Sequence, residues 1–129
     1  QQYFDEKVVP LLDEKITYVG HLSQAELAAL VGKSAVGLVT SVWDEPFGLA
    51  YVEMLACGTP VAGFWSGAAA EIVTKEVGVL VEKYDVQALA RVLGEVEGSR
   101  DREACRRRAE REFPVANMVD TYVKLYGMT

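Results

Sequence analysis

Chemistry that depends on imidazole or thiol has little to draw on in this sequence. His21 is the single histidine, and Cys57 and Cys105 are isolated, with no Cys-x-x-Cys pair. A Cys/His zinc site therefore lacks ligands, and a Ser-His-Asp triad would hang on one imidazole. The same scarcity argues against a disulfide framework and for a reducing compartment, so a cytoplasmic location is expected. Long apolar runs are also missing. Ala35–Thr40 and Leu49–Cys57 are too short or too interrupted to cross a bilayer, and no secretory signal precedes the first apolar segment. There is no internal repeat, low-complexity tract or linker. The chain opens at Gln1 rather than methionine, so an excised or processed piece is expected.

What is present suffices for one domain. The 129 residues are half hydrophobic and one quarter charged, enough to bury a core and remain soluble. That balance excludes a disordered tail and a collagen-like repeat. The net charge of −6 repels polyanions, and no nucleic-acid partner is expected. Charge is unevenly spread: residues 1–99 carry 6 basic and 14 acidic groups, whereas residues 100–129 carry 7 and 5.

Short β-branched runs alternate with amphipathic stretches. Tyr3–Leu12 reads as a helix and Ile16–Val19 as a strand stopped by Gly20. Ser23-Gln24-Ala25-Glu26 is a capping box opening a helix to about Val31, with Gly32 as its C-cap. Ala35–Thr40 reads as a strand covered on both faces. A loop from Ser41 to Gly48 leads to a helix over Leu49–Cys57, closed by Gly58. Pro60–Phe64 predicts a strand, Ala68–Thr74 a short helix, Val77–Val81 a further strand, and Asp85 caps a helix through Val96. Helices at about 100–112 and 115–126 complete the chain. The expected fold class is α/β, a doubly wound, Rossmann-like parallel sheet with helices on both faces, closed by C-terminal helices. Ligands then bind beyond the carboxyl ends of the strands, at the loops Gly20–Ser23, Ser41–Gly48 and Trp65–Ala68.

The second of these loops carries the chemistry. Asp44 and Glu45 sit beside Pro46 and Gly48 at a helix start. Pro46 restricts Glu45 to extended backbone, so its side chain projects from the loop. Gly48 lets a ligand approach the backbone closely. N–H groups near Gly48 and Leu49 lack helical partners and lie at the positive end of the helix dipole, an anion site suited to phosphate. Glu53, further along the helix, can accept from a vicinal diol. Together these suit a sugar linked to a nucleotide; the plain alternative is a capping Glu45 and a solvated Glu53.

Glu45-Pro46-Phe47-Gly48-Leu49-Ala50-Tyr51-Val52-Glu53 holds two glutamates with seven residues between them and continues as Met54-Leu55-Ala56-Cys57-Gly58-Thr59-Pro60-Val61. This resembles the donor-site signature of retaining GT-B glycosyltransferases of the group 1 type. Ser66-Gly67-Ala68-Ala69-Ala70-Glu71-Ile72-Val73 is similar to that family's Gly-Gly-x-x-Glu-Ile-Val segment, although Ser66 or Ala68 stands where a second glycine is frequent. Gly78–Val81 and Asp85–Leu89 match what usually follows. Glycogen and starch synthases share the fold but usually differ at the equivalent of Leu55–Gly58.

The resemblance implies roles. Glu45 would meet hydroxyls of the sugar, helped by Phe47, Gly48 and Gly67. Gly48 and Leu49 would hold the diphosphate. Glu53 would take the ribose, and Val19, Gly20 and His21 the base. It implies no metal, no cofactor beyond a UDP-, GDP- or ADP-sugar as co-substrate, and no catalytic residue in this stretch. The family's acceptor-binding N-terminal lobe and the basic residues that neutralise the diphosphate precede the position of Gln1. Because dipole effects are worth about 1 kcal/mol each, cationic help is expected from that preceding segment. The chain thus reads as part of the donor-binding lobe of a hexosyltransferase, weak on its own, with any membrane association residing elsewhere. A non-catalytic binding or interaction module and a GT-B nucleotide-sugar epimerase are the alternatives.

Other residues have plainer expectations. His21 reads as a packing or base-contact residue, and Trp43 either stacks on a ligand or caps the core. Cys57 should be buried. The basic run Arg100–Arg111 reads as a solvated helix laced with pairs four apart. Phe113, Tyr122 and Tyr126 should pack on the core or on the absent lobe.

Overall fold

The computed structural model describes residues 2–96 and 101–127. Three parallel strands, β1 (Gly37–Val39), β2 (Val61–Phe64) and β3 (Gly78–Val81), form a sheet in the order β1-β2-β3. In register, Val61 pairs with Gly37 on one side and Gly78 on the other. Central β2 is buried along its whole length, and its alternation feeds two cores. Val61 joins Tyr51, Leu55, Ile72, Val77, Cys105 and Ala109 on one face. Ala62 and Phe64 pack with Leu89 on the other.

Helices α1 (Gln24–Lys33), α2 (Leu49–Ala56), α3 (Ala69–Ile72), α4 (Val86–Val96), α5 (Arg102–Glu112) and α6 (Val115–Leu125) complete the architecture. Helices α2, α3 and α5 supply the first core and α4 the second, so the sheet is covered on both sides as an α/β doubly wound fold requires. The capping box forms as expected. Glu26 N–H donates to the Ser23 hydroxyl at 3.4 Å, and Ser23 N–H to the Glu26 carboxylate at 2.9 Å. Asp85 accepts from Ala88 N–H at 2.8 Å at the start of α4.

Four expectations are corrected. Tyr3–Leu12 is helical but not a regular α-helix: Phe4–Val8 forms a wide π-type turn and Val9–Leu11 a 3-10 turn. Ile16–Val19 forms no strand. Asp13 captures the N–H groups of Lys15 and Ile16 in a tight turn, and no neighbouring strand pairs with the segment. Helix α1 passes through Gly32 to Lys33 and is capped at Ser34. In β1, Leu38 is 47% exposed, because α4 lies over β2 and β3 and leaves β1 uncovered on that face.

The basic helix is also more than solvated. Arg106–Glu110 and Arg107–Glu103 do form pairs four apart. Guanidinium groups of this helix also reach carbonyls at the ends of other helices. Arg102 donates to Gly32 in the last turn of α1 and to Ser34 just after it, Arg106 to Ala56 of α2, and Arg108 to Glu71 and Ile72 of α3. Arg100 lies outside the described residues. Among the described residues no helix is long and apolar enough to cross a membrane.

Candidate functional site

Parallel pairing brings the exits of β1, β2 and β3 to one edge, and the loops there are cross-tied. Ala68 N–H donates to the Glu45 carbonyl at 2.9 Å, and the Ser66 hydroxyl to the Ser41 carbonyl at 3.3 Å. Gly67 N–H donates to the Asp44 carboxylate at 3.1 Å. Lys83, just after β3, places its ammonium 2.6 Å from the same Asp44 oxygen. Lys83 and the Gly67 N–H hold the Asp44 carboxyl below the usual aspartate range, with Lys83 the larger influence.

Two glycines are required by this packing. Gly48 has φ +85° and precedes α2 in the left-handed region. A Cβ there would lie 2.6 Å from the Tyr51 ring, so the fold itself demands glycine, whatever approaches from outside. Gly67 has φ +49°, and a Cβ would overlap the Glu45 carbonyl oxygen and lie 2.5 Å from its nitrogen. The backbones of Gly67 and Glu45 are therefore in direct contact.

Helix α2 begins without any side-chain cap. In its first turn the Tyr51 N–H donates to the Gly48 carbonyl at 3.1 Å, while the N–H groups ahead of it, at the very start of the helix, have no carbonyl one turn back to bond. Leu49 is exposed and Glu45 half-buried. Phe47 is half exposed, with its ring edge-on to Phe113 at 6.2 Å. Tyr51 is buried beneath Gly48. Burial pushes its phenol pKa up, and its hydroxyl, near Ser66, has no well-formed hydrogen-bond partner among the described residues. Glu53 is exposed and lines a mostly apolar groove of about 320 Å³ between α1 and α2, with Gln24 at its rim.

The structure thus joins Glu45 to Gly67 and sets Gly48 and Leu49 at the head of the same helix that carries Glu53. Val19, Gly20 and His21 are exposed in the irregular segment before α1, and no strand fixes them at the edge. Trp43 is 60% exposed, which removes the core-capping expectation. Cys57 is only half-buried, and neither cysteine is in a disulfide among the described residues. Phe113 packs on the core as expected, whereas Tyr122 and Tyr126 stack on each other in the open. Lys83 escaped the sequence reading, which took the loops after the earlier strands and passed over the exit of β3. The same rule, ligands beyond carboxyl ends of strands, would have found it.

The profile of the family described as "Glycosyl transferases group 1" matches residues 10–112, most of the chain. The chain belongs to this family. It is 30% identical over 117 residues to an uncharacterized 41.2 kDa protein in the cps region of Klebsiella pneumoniae, covering 88% of this chain and 32% of that one. It is 41% identical over 75 residues to an MMP alpha-(1->4)-mannosyltransferase of Mycolicibacterium hassiacum, covering 57% and 18%. It is 40% identical over 78 residues to a GDP-mannose-dependent monoacylated alpha-(1-6)-phosphatidylinositol monomannoside mannosyltransferase of Corynebacterium glutamicum, covering 60% and 20%. The chain therefore spans a third or less of the length of these relatives.

Proposed function

We propose that this chain is the nucleotide-sugar-binding part of a retaining GT-B hexosyltransferase whose acceptor is held by a lobe outside the 129 residues. The observation that carries the reading is the uncapped start of α2, flanked by Glu45 and by the Gly67 turn tied to it. The first-turn N–H groups at Gly48 and Leu49 receive the diphosphate, where oriented backbone dipoles stabilise charge building on the leaving group. Glu45, Phe47 and Gly67 meet the sugar. Glu53 accepts from the ribose hydroxyls at the mouth of the α1–α2 groove, and Val19, Gly20 and His21 contact the base. The donor's phosphate oxygen takes the acceptor proton on the face it leaves, which retains the anomeric configuration.

The relatives' small coverage supports assignment to a larger enzyme. Two relatives are named mannosyltransferases and one of those names specifies GDP-mannose, which makes GDP-mannose the first sugar donor to test. Two cysteines outside any disulfide fit a reducing, cytoplasmic setting.

Glu53→Ala in the full-length protein should weaken affinity for the sugar donor by at least about tenfold, as expected for loss of a charge-assisted contact. Calorimetry that finds unchanged affinity would sink this role for Glu53. A product assay without acceptor separates transfer from epimerisation, since an epimerase releases a changed sugar donor.

A further inference from the structure

Asp44 and Lys83 have no assigned role in sugar-donor recognition, yet they join the exits of all three strands. A single carboxylate oxygen of Asp44 accepts from the Lys83 ammonium after β3 and from the Gly67 N–H after β2. Asp44 itself lies in the loop after β1, one residue before Glu45. The Gly67 turn is pressed against the Glu45 backbone with no space for a side chain, and Ala68 N–H bonds the Glu45 carbonyl. Asp44 is thus bonded to the Gly67 turn through its side chain and joined to Glu45 through the backbone, so its position bears on both. The Asp44 side chain is largely exposed, and exposed ion pairs add little to stability. Its consequence is geometric, because a charge-assisted bond fixes the direction of the Gly67 N–H.

Helix α2 is anchored independently of this tie. Tyr51 and Leu55 bury it in the core, and Arg106 binds the carbonyl of its last residue, Ala56. Its first-turn N–H groups and Glu53 keep their places whether or not Asp44 does.

We propose that Asp44, held by Lys83, is a positioning residue that sets the gap between Glu45 and Gly67 and so governs recognition of the sugar, but not of the nucleoside diphosphate. This rests on the sugar-donor reading given above. The test compares two ligands in the full-length protein: GDP-mannose against GDP, with UDP-glucose against UDP as a second pair. Asp44→Ala should weaken binding of the nucleotide sugar by about tenfold, since small misplacements of a binding group have effects of this order or larger. The nucleoside diphosphate should stay within about twofold, as for independent sites. Asp44→Asn, which keeps an acceptor for Gly67, should fall between wild type and Asp44→Ala. Lys83→Met should show the same sugar-selective loss, smaller, and Lys83→Arg should restore most of it.

Equal weakening of both ligands by Asp44→Ala overturns the proposal, because a general loosening of the edge would act in that way. Unchanged affinity for both overturns it too. Should Asp44→Ala fail to fold, the same ligand ratio in Asp44→Asn and Lys83→Met decides. The underlying site is tested separately: if wild type binds neither pair, the sugar-donor reading itself fails.

Discussion

Tyr51 is buried through its hydroxyl, and that hydroxyl lacks a well-formed partner among the described residues. An unsatisfied buried hydroxyl costs more than it returns. Tyr51→Phe keeps the ring that packs beneath Gly48 and removes the orphan. It should leave stability unchanged or raise it by up to about 1 kcal/mol. Urea unfolding checks this, and a clear loss would mean that the hydroxyl is bonded. Asp44 offers a second test. Its carboxyl is held below the ordinary aspartate range by Lys83 and by the Gly67 N–H. A group whose folded pKa is depressed contributes stability above its unfolded pKa and loses it as pH falls through the folded value. The tie between Asp44 and Gly67 should thus persist through mild acid and come apart only below the ordinary aspartate range. The Gly67 amide shift, followed by NMR against pH, reports that midpoint; a midpoint at or above the ordinary range contradicts the tie.

Helix α5 works at the scale of elements. Its guanidinium groups bind carbonyls at the ends of α1, α2 and α3, where helices leave acceptors unsatisfied. Arg102 donates to Gly32 and Ser34 and lies 3.4 Å from Thr59, whose hydroxyl in turn donates to Val31. Arg102→Ala should lower stability by about 1.5 kcal/mol, the scale for hydrogen bonds from a charged group. Arg102→Lys should rescue only part of it, because an ammonium lacks the planar fork that spans two carbonyls. Thermal unfolding of the three proteins is the check. This role was invisible in the sequence, where an alternation of Arg and Glu at helical spacing satisfies a solvated helix equally well. Spacing reports which residues share a face, and says nothing of which carbonyls another helix presents to that face.

Across the whole molecule, legibility followed the range of the interactions. The capping box at Ser23–Glu26, the turn into α2 and the βα alternation of residues 35–96 depend on contacts a few residues apart. The segment Ile16–Val19 has the composition of a strand but depends on a neighbour to pair with, and forms none in its absence. Leu38 belongs to a fully apolar run yet is half exposed, because coverage of β1 depends on where α4 lies. Helix α6 has an amphipathic sequence and buries none of its residues. Its Val115, Met118, Tyr122 and Leu125 line an open groove with Phe47 and Leu49. For each of these the residue pattern was right and the partner surface was the missing term.

The sequence by itself determined the fold class, the family and the cluster of Glu45, Gly48, Leu49 and Glu53, since these rest on local periodicity and one contiguous motif. Only the tertiary structure decided that Gly67 is locked against Glu45, that Lys83 reaches the same edge, and that arginines of α5 hold the ends of three other helices. Those contacts join residues 22 to 70 positions apart. Parallel strand pairing brings their carboxyl ends together, and no pattern within a single element encodes that meeting.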